Sequence, residues 1–139
     1  MVSNELDRRN ELLDKIKKAG FPEKEVILTL DEFFIGNTSY CSIGVNLNRQ
    51  PSPTVFYEIF KRLIDEGRLE NVFVRIADID EKWFFSDTIY VVGKIFKEEL
   101  QDELYELQPD EINSGWMYGL PANLNGNFSE KDVYSLWWD

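Results

Sequence analysis

The stretch that decides the fold is Asn71–Val92, NVFVRIADIDEKWFFSDTIYVV. Its two ends, Asn71 to Ile79 and Thr88 to Val92, are runs of β-branched and aromatic residues, the side chains that fit a pleated surface best. Only a short polar and aromatic segment separates them, so the pair predicts an antiparallel hairpin. Period-two alternation puts Val72, Val74 and Ile76 on one face of the first run and carries that face on to Asp78 and Asp80.

Helices are legible on both sides of the hairpin. Upstream, Ser52 stands as N-cap and Pro53 at the first helical position. Val55, Phe56, Ile59, Phe60, Leu63 and Ile64 then form a broad apolar face that Gly67 closes, with Glu58 and Arg62 spaced to pair on the other side. Downstream, Phe96, Leu100, Leu104 and Leu107 mark a helix ending before Pro109. Nearer the start, a thin stripe of Leu6, Leu13 and Ile16 runs from Ser3 or Asn4 to a cap at Gly20, which predicts a peripheral helix. Val26-Ile27-Leu28 reads as a short buried strand, and Thr29 caps a turn of helix through Asp31, Glu32, Phe33 and Phe34. Val133 to Trp138 reads as the last strand. From Gln108 to about Lys131 no period survives and turn residues dominate. With no internal repeat or low-complexity linker, residues 1–139 are expected to form one α+β domain, a largely antiparallel sheet of four to five strands with helices packed on it.

Composition narrows the chemistry. The chain carries 26 Asp and Glu against 15 Lys and Arg, a net charge of -11, with no histidine and one cysteine. A histidine base, a Ser-His or Cys-His nucleophile and a histidine-built zinc site are therefore excluded. A sequence pI near 4.5 argues against nucleic acid, which is bound chiefly through Lys and Arg. Arg8, Arg9, Lys15, Lys17 and Lys18 gather on the first helix, but Glu5, Asp7, Glu11 and Asp14 lie among them, and the helix reads as a solvated mixed-charge face. The N-terminus has no basic start followed by an apolar stretch, and no run approaches the roughly 18 apolar residues of a span, so a cytoplasmic protein that does not engage membranes is expected. Cys41, without a second thiol, reads as a small buried hydrophobe.

Three regions are candidates for function. Asp78, Asp80, Glu81 and Asp87 flank Trp83-Phe84-Phe85-Ser86, where carboxylates from both sides of the hairpin loop would meet a hard cation or act as an acid and base pair. The oxygen ligands at regular spacing that calcium requires are missing, and a polar hairpin end with aromatics folded onto the core is the plainer account, so no metal or cofactor is assigned. The second region is Gln108 to Lys131, in which Trp116, Met117 and Tyr118 sit between Gly115 and Gly119, with Asp110 and Glu111 just before. Aromatic rings beside carboxylates compose an interface anchor for a basic partner, with Trp83 as a further candidate. The same rings equally suit pinning the loop to the core, and both readings stay open. The third is Asn37 to Pro53, where Gly36 and Gly44 are too isolated for a phosphate loop, and Tyr40, Ser42, Asn46 and Asn48 are candidate pocket residues.

Leu30-Asp31-Glu32-Phe33-Phe34-Ile35-Gly36-Asn37, Ser42-Ile43-Gly44-Val45-Asn46-Leu47, Trp83-Phe84-Phe85-Ser86-Asp87-Thr88 and Leu136-Trp137-Trp138-Asp139 resemble the markers of a family of small uncharacterised bacterial proteins. The resemblance spans most of the chain from Leu30 onward and brings no catalytic residue with it. In composition the chain is also similar to the small acidic immunity proteins that neutralise bacterial toxins. The function expected is accordingly a non-enzymatic acidic module, an inhibitor or immunity protein being its most concrete form, that binds a basic protein. The alternatives are a carboxylate-based enzyme using Asp78, Asp80 and Asp87, with or without a divalent metal, and a homodimer built on a Trp137-Trp138 edge strand.

Overall fold

The computed structural model describes residues 4–40, 42–44, 51–80 and 82–139. Glu81, Cys41, Asn46 and Asn48, on which expectations rest, lie outside them. The predicted hairpin is the centre of the sheet: β2 (Asn71–Arg75) pairs antiparallel with β3 (Thr88–Val92) in a register that sets Asn71 opposite Val92. The first strand is shorter than the apolar run, and an isolated bridge between Asp78 and Phe85 continues the pairing beyond it. Short β1 (Ile27–Thr29) flanks β2, while β5 (Val133–Trp137) flanks β3 and is itself covered by β4 (Glu111–Ser114), giving the antiparallel order β1-β2-β3-β5-β4. The architecture is α+β, as the sequence predicts.

The helices form where the caps say they do. Thr29 and Glu32 bond each other's backbone in a capping box that opens α2 (Leu30–Phe34). The Ser52 hydroxyl accepts from the Val55 amide at the start of α3 (Pro53–Asp65). At its far end Gly67, with φ 75°, lets the Arg68 amide reach back to the Leu63 carbonyl and its own amide to that of Ile64. Phe56, Phe60 and Leu63 of α3, Leu12 and Ile16 of α1 (Asn4–Lys18), and Leu100 of α4 (Lys97–Glu103) with Leu104 and Leu107 beyond it all pack on the face of Val72, Val74, Ile76, Ile89, Val91 and Leu136.

The opposite face is covered too. Ile27, Phe73, Tyr90, Val92 and Val133 form a second cluster under Trp116, Leu124 and Phe128, so every residue of β3 is buried. The expectation of a structureless stretch from Gln108 to Lys131 is corrected here. It contains β4 and a 3-10 helix (Gly126–Glu130), and the segment between β4 and β5 folds over the sheet as a flap. Glu111-Ile112-Asn113-Ser114 has one apolar residue in four, too few for any period to show.

Other readings are corrected by packing. Leu6 is exposed, and the buried positions of α1 are Leu12 and Ile16, not Leu6 and Leu13. Phe96 is the N-cap of α4 and is exposed, outside the apolar stripe it was expected to begin. Arg62 meets Glu103 across the helix pair at 3.1 Å. Arg8 and Arg9 are half-buried and tied to backbone: Arg8 donates to the carbonyls of Asp31 and Glu32 in α2 and of Ile35 just beyond it, and Arg9 to those of Ile79 and Lys82. The last strand is internal, paired on both sides, so Trp137 and Trp138 form no edge. Trp138 is buried, its indole N–H on the Leu107 carbonyl at 2.7 Å.

Candidate interaction surface

Two of the carboxylates at the hairpin end, Asp78 and Asp87, are held locally. Asp87 accepts from the Arg75 guanidinium at 3.1 Å and from the Thr88 hydroxyl, while Asp78 accepts from the Asp80 amide at 2.7 Å. Among the described residues no group of three or more metal-ligating side chains gathers. Trp83 lies in the core, 5% exposed, and its indole N–H donates to the Phe33 carbonyl at 2.7 Å, so this ring is not a surface anchor. In the third region Ser42 is buried, its hydroxyl accepting from the Asn37 carboxamide and donating to the Ser39 carbonyl.

The flap resolves the two readings of its aromatics residue by residue. Trp116 packs against Tyr90, ring centroids 4.8 Å apart, and its N–H reaches the Phe128 carbonyl, so it pins the flap to the sheet. Tyr118 lies over the Arg75 guanidinium at 3.8 Å, and Arg75 is also forked onto Glu25 at 2.6 and 3.2 Å. Burial works against the Arg75 charge, but Glu25 outweighs it and holds the guanidinium firmly protonated. Beneath, burial pushes the Tyr90 phenol well above its ordinary value, and its hydroxyl makes no well-formed hydrogen bond. This cluster latches the flap and leaves little to offer a ligand.

Asp110 and Glu111 stand elsewhere, at the start of β4. The Gly115 amide bonds the Val133 carbonyl at 2.9 Å, which fixes the phase of the ladder: Glu111 and Asn113 turn their backbone groups to β5, and Ile112 and Ser114 turn theirs outward. Those outward groups have no protein partner among the described residues. Beside them runs a groove of about 480 Å³ between β4 and α4, lined by Lys97, Gln101, Tyr105, Asp110, Glu111 and Ile112 among others. At the Ser114 end a second hollow of about 550 Å³ is lined by Phe96 and Tyr134. Phe96 is 78% and Tyr105 76% exposed, the two most exposed of the large apolar side chains among the described residues.

Charge and backbone geometry single out the same place. Glu106, Asp110 and Glu111 are exposed and enter no salt bridge among the described residues, Asp110 accepting only from the Asp139 amide at 2.6 Å, whereas Arg68 is ringed by Glu66, Glu99 and Glu103 and Lys131 meets Glu70. Gln108, on the groove wall, has φ 46°, the one positive value at a non-glycine among the described residues. Holding it there costs of order 1 kcal/mol, and such positions cluster where a protein functions. Sequence reasoning placed Asp110 and Glu111 but missed Tyr105 and Phe96. The available signal was Tyr105 standing off the Leu100-Leu104-Leu107 stripe.

Residues 7–136 match a family described as "Uncharacterized protein YfbO family". The chain belongs to that family. The Escherichia coli (strain K12) protein "Uncharacterized protein YfbO" is 34% identical over 92 residues, which cover 65% of this chain and 66% of that protein, just under two thirds of its length. No solved structure matches the chain significantly. Among the described residues no helix is long and apolar enough to cross a membrane.

Proposed function

We infer that this chain is a non-enzymatic binding module for a basic protein, working as an inhibitor or immunity protein does, by presenting carboxylates and aromatic anchors to a cationic surface. The observation that carries the reading is the open β4 edge, with the exposed carboxylates of Glu106, Asp110 and Glu111 outnumbering Lys97 beside it and the bare rings of Tyr105 and Phe96 around it. The overall charge of -11 accelerates encounter with a cationic partner and repels polyanions such as nucleic acid. Every arginine among the described residues is already bonded to a carboxylate or carbonyl, which leaves the negative field in excess. Asp110 and Glu111 keep their steering role in this reading, and the anchors move from Trp116, Tyr118 and Trp83 to Tyr105 and Phe96. The carboxylate-enzyme alternative has less behind it, since Asp78 and Asp87 each serve a local hydrogen bond.

The test is affinity capture from bacterial lysate at low and high salt with three proteins: the parent, Asp110→Asn with Glu111→Gln, and Phe96→Ala with Tyr105→Ala. The same basic protein should be retained by the parent, associate more slowly with the charge variant and dissociate faster from the aromatic one. Retention indifferent to both variants, or no retained protein at all, overturns the reading.

A further inference from the structure

We propose that the partner engages β4 by strand addition: an extended segment with alternating apolar and basic residues pairs with the outward backbone of Ile112 and Ser114. This rests on the binding-module reading and specifies its mode. An edge strand presents a row of unsatisfied amides and carbonyls, and main-chain pairing satisfies them whatever the partner's fold. The pleat then dictates the partner's pattern. Ile112 packs toward the helical core, whereas Glu111 and Asn113 project to the opposite face, where the Asn113 carboxamide bonds the Glu111 carboxylate at 3.0 Å. A segment lying beside β4 therefore sets one row of side chains against Ile112, Leu104 and Tyr105 in the groove, and the alternate row beside Glu111. Apolar residues suit the first row and Lys or Arg the second.

Tyr105 lines the groove beside Asp110, Glu111 and Ile112, and Phe96 lines the hollow at Ser114, so the two exposed rings lie toward opposite ends of β4. A second copy of this chain is a poorer occupant, because two bodies of charge -11 would meet at Glu106, Asp110 and Glu111.

The probe is the capped heptapeptide Lys-Val-Lys-Val-Lys-Val-Lys. Its controls are the same composition in blocks, Lys-Lys-Lys-Lys-Val-Val-Val, and the alternating peptide N-methylated at every second residue. Binding to the ¹⁵N-labelled chain is followed by amide shifts and hydrogen exchange. The alternating peptide should bind at least about tenfold more tightly than either control and slow the exchange of the Ile112 and Ser114 amides by a similar factor. Ser114→Pro, which removes one outward amide and no ladder bond, should weaken it comparably with the melting temperature retained. Equal binding of all three peptides, shifts confined to another surface, or no binding overturns the proposal. So does a dimer of the chain that Ser114→Pro dissolves, which would assign the edge to a second copy. If a captured partner still binds Ser114→Pro at full affinity, strand addition fails while the binding-module reading stands; if lysate yields no partner, that reading fails first.

Discussion

The two edges of the sheet are treated in opposite ways. At β1 the outward amide of Ile27 donates to the Asn123 carboxamide at 3.0 Å, the same carboxamide donates back to the Ile27 carbonyl at 2.7 Å, and the Ala122 amide bonds the Glu25 carbonyl. The next outward amide, Thr29, is taken by Glu32. A side chain 96 residues away in sequence thus stands in for a missing strand. At β4 the equivalent groups of Ile112 and Ser114 have no hydrogen-bond partner among the described residues. An open edge is an aggregation hazard, and here it is tempered by a length of four residues and by carboxylates at one end. The flap thus seals the β1 edge, while among the described residues nothing bonds the outward groups of β4.

The contrast depends on the flap, so the largest effect should come from releasing it. Trp116→Ala removes the ring packed on Tyr90 and the N–H bonded to Phe128, and with them the seating of the segment that delivers Asn123. Truncation of a large aromatic in a packed cluster costs about 3 kcal/mol, and urea unfolding should show a loss of that size. A loss under about 1 kcal/mol would make the flap a surface feature and return Trp116 to the list of partner anchors. Next comes the seal itself. Asn123→Ala leaves the Ile27 amide and carbonyl without partners and should cost about 2 kcal/mol, with accelerated exchange of the Ile27 amide as its local signature. Unchanged exchange would show that water seals β1 as well as Asn123 does, and the asymmetry would lose its meaning.

How much of this was legible follows from what each element depends on. The hairpin, α2 and α3 could be read because local signals agree with tertiary packing: β-branched runs, Thr29 with Glu32, Ser52 with Pro53 and Gly67. The flap and β4 could not, because their order comes from long-range bonds. Trp116 is fixed by Tyr90, Tyr118 by Arg75 and Asn123 by Ile27, none of which leaves a period in the sequence. The same reason explains Trp83, whose N–H is committed to Phe33, 50 residues away. Of the candidate site, Asp110 and Glu111 were found through charge alone, whereas Phe96 was misassigned to a buried stripe because its N-cap position is invisible to periodicity.

A smaller effect is expected beneath the flap. Burial raises the Tyr90 phenol above its ordinary value of 10, so its neutral form is favoured in the fold. The sign follows: that contribution is full below pH 10 and is lost as pH climbs through 10 toward the folded value, because the unfolded chain ionises first. Tyr90→Phe removes a hydroxyl without a well-formed hydrogen bond and should leave stability at neutral pH unchanged or raise it by up to about 1 kcal/mol. It should also abolish this part of the alkaline decline in melting temperature. A destabilised variant at neutral pH would mean that the hydroxyl has a partner worth keeping, and that the flap is held by more than packing.

The smallest effect is expected at the open edge, and it tests the comparison most directly. Proline at Ser114 deletes an amide that points to solvent, and the ring fits an edge strand because no ladder bond is broken. Ser114 is exposed and its hydroxyl makes no hydrogen bond among the described residues, so the side chain has little to lose. Ser114→Pro should therefore unfold within about 0.5 kcal/mol of the parent, the range of ordinary surface substitutions. Asn123→Ala, at the sealed edge, is expected to lose about four times as much. If Ser114→Pro instead costs about 2 kcal/mol or more, the Ser114 amide is bonded, the ladder has the opposite phase, and β4 presents Glu111 and Asn113 outward. The alternation required of a partner would then invert, with its basic row lying in the α4 groove.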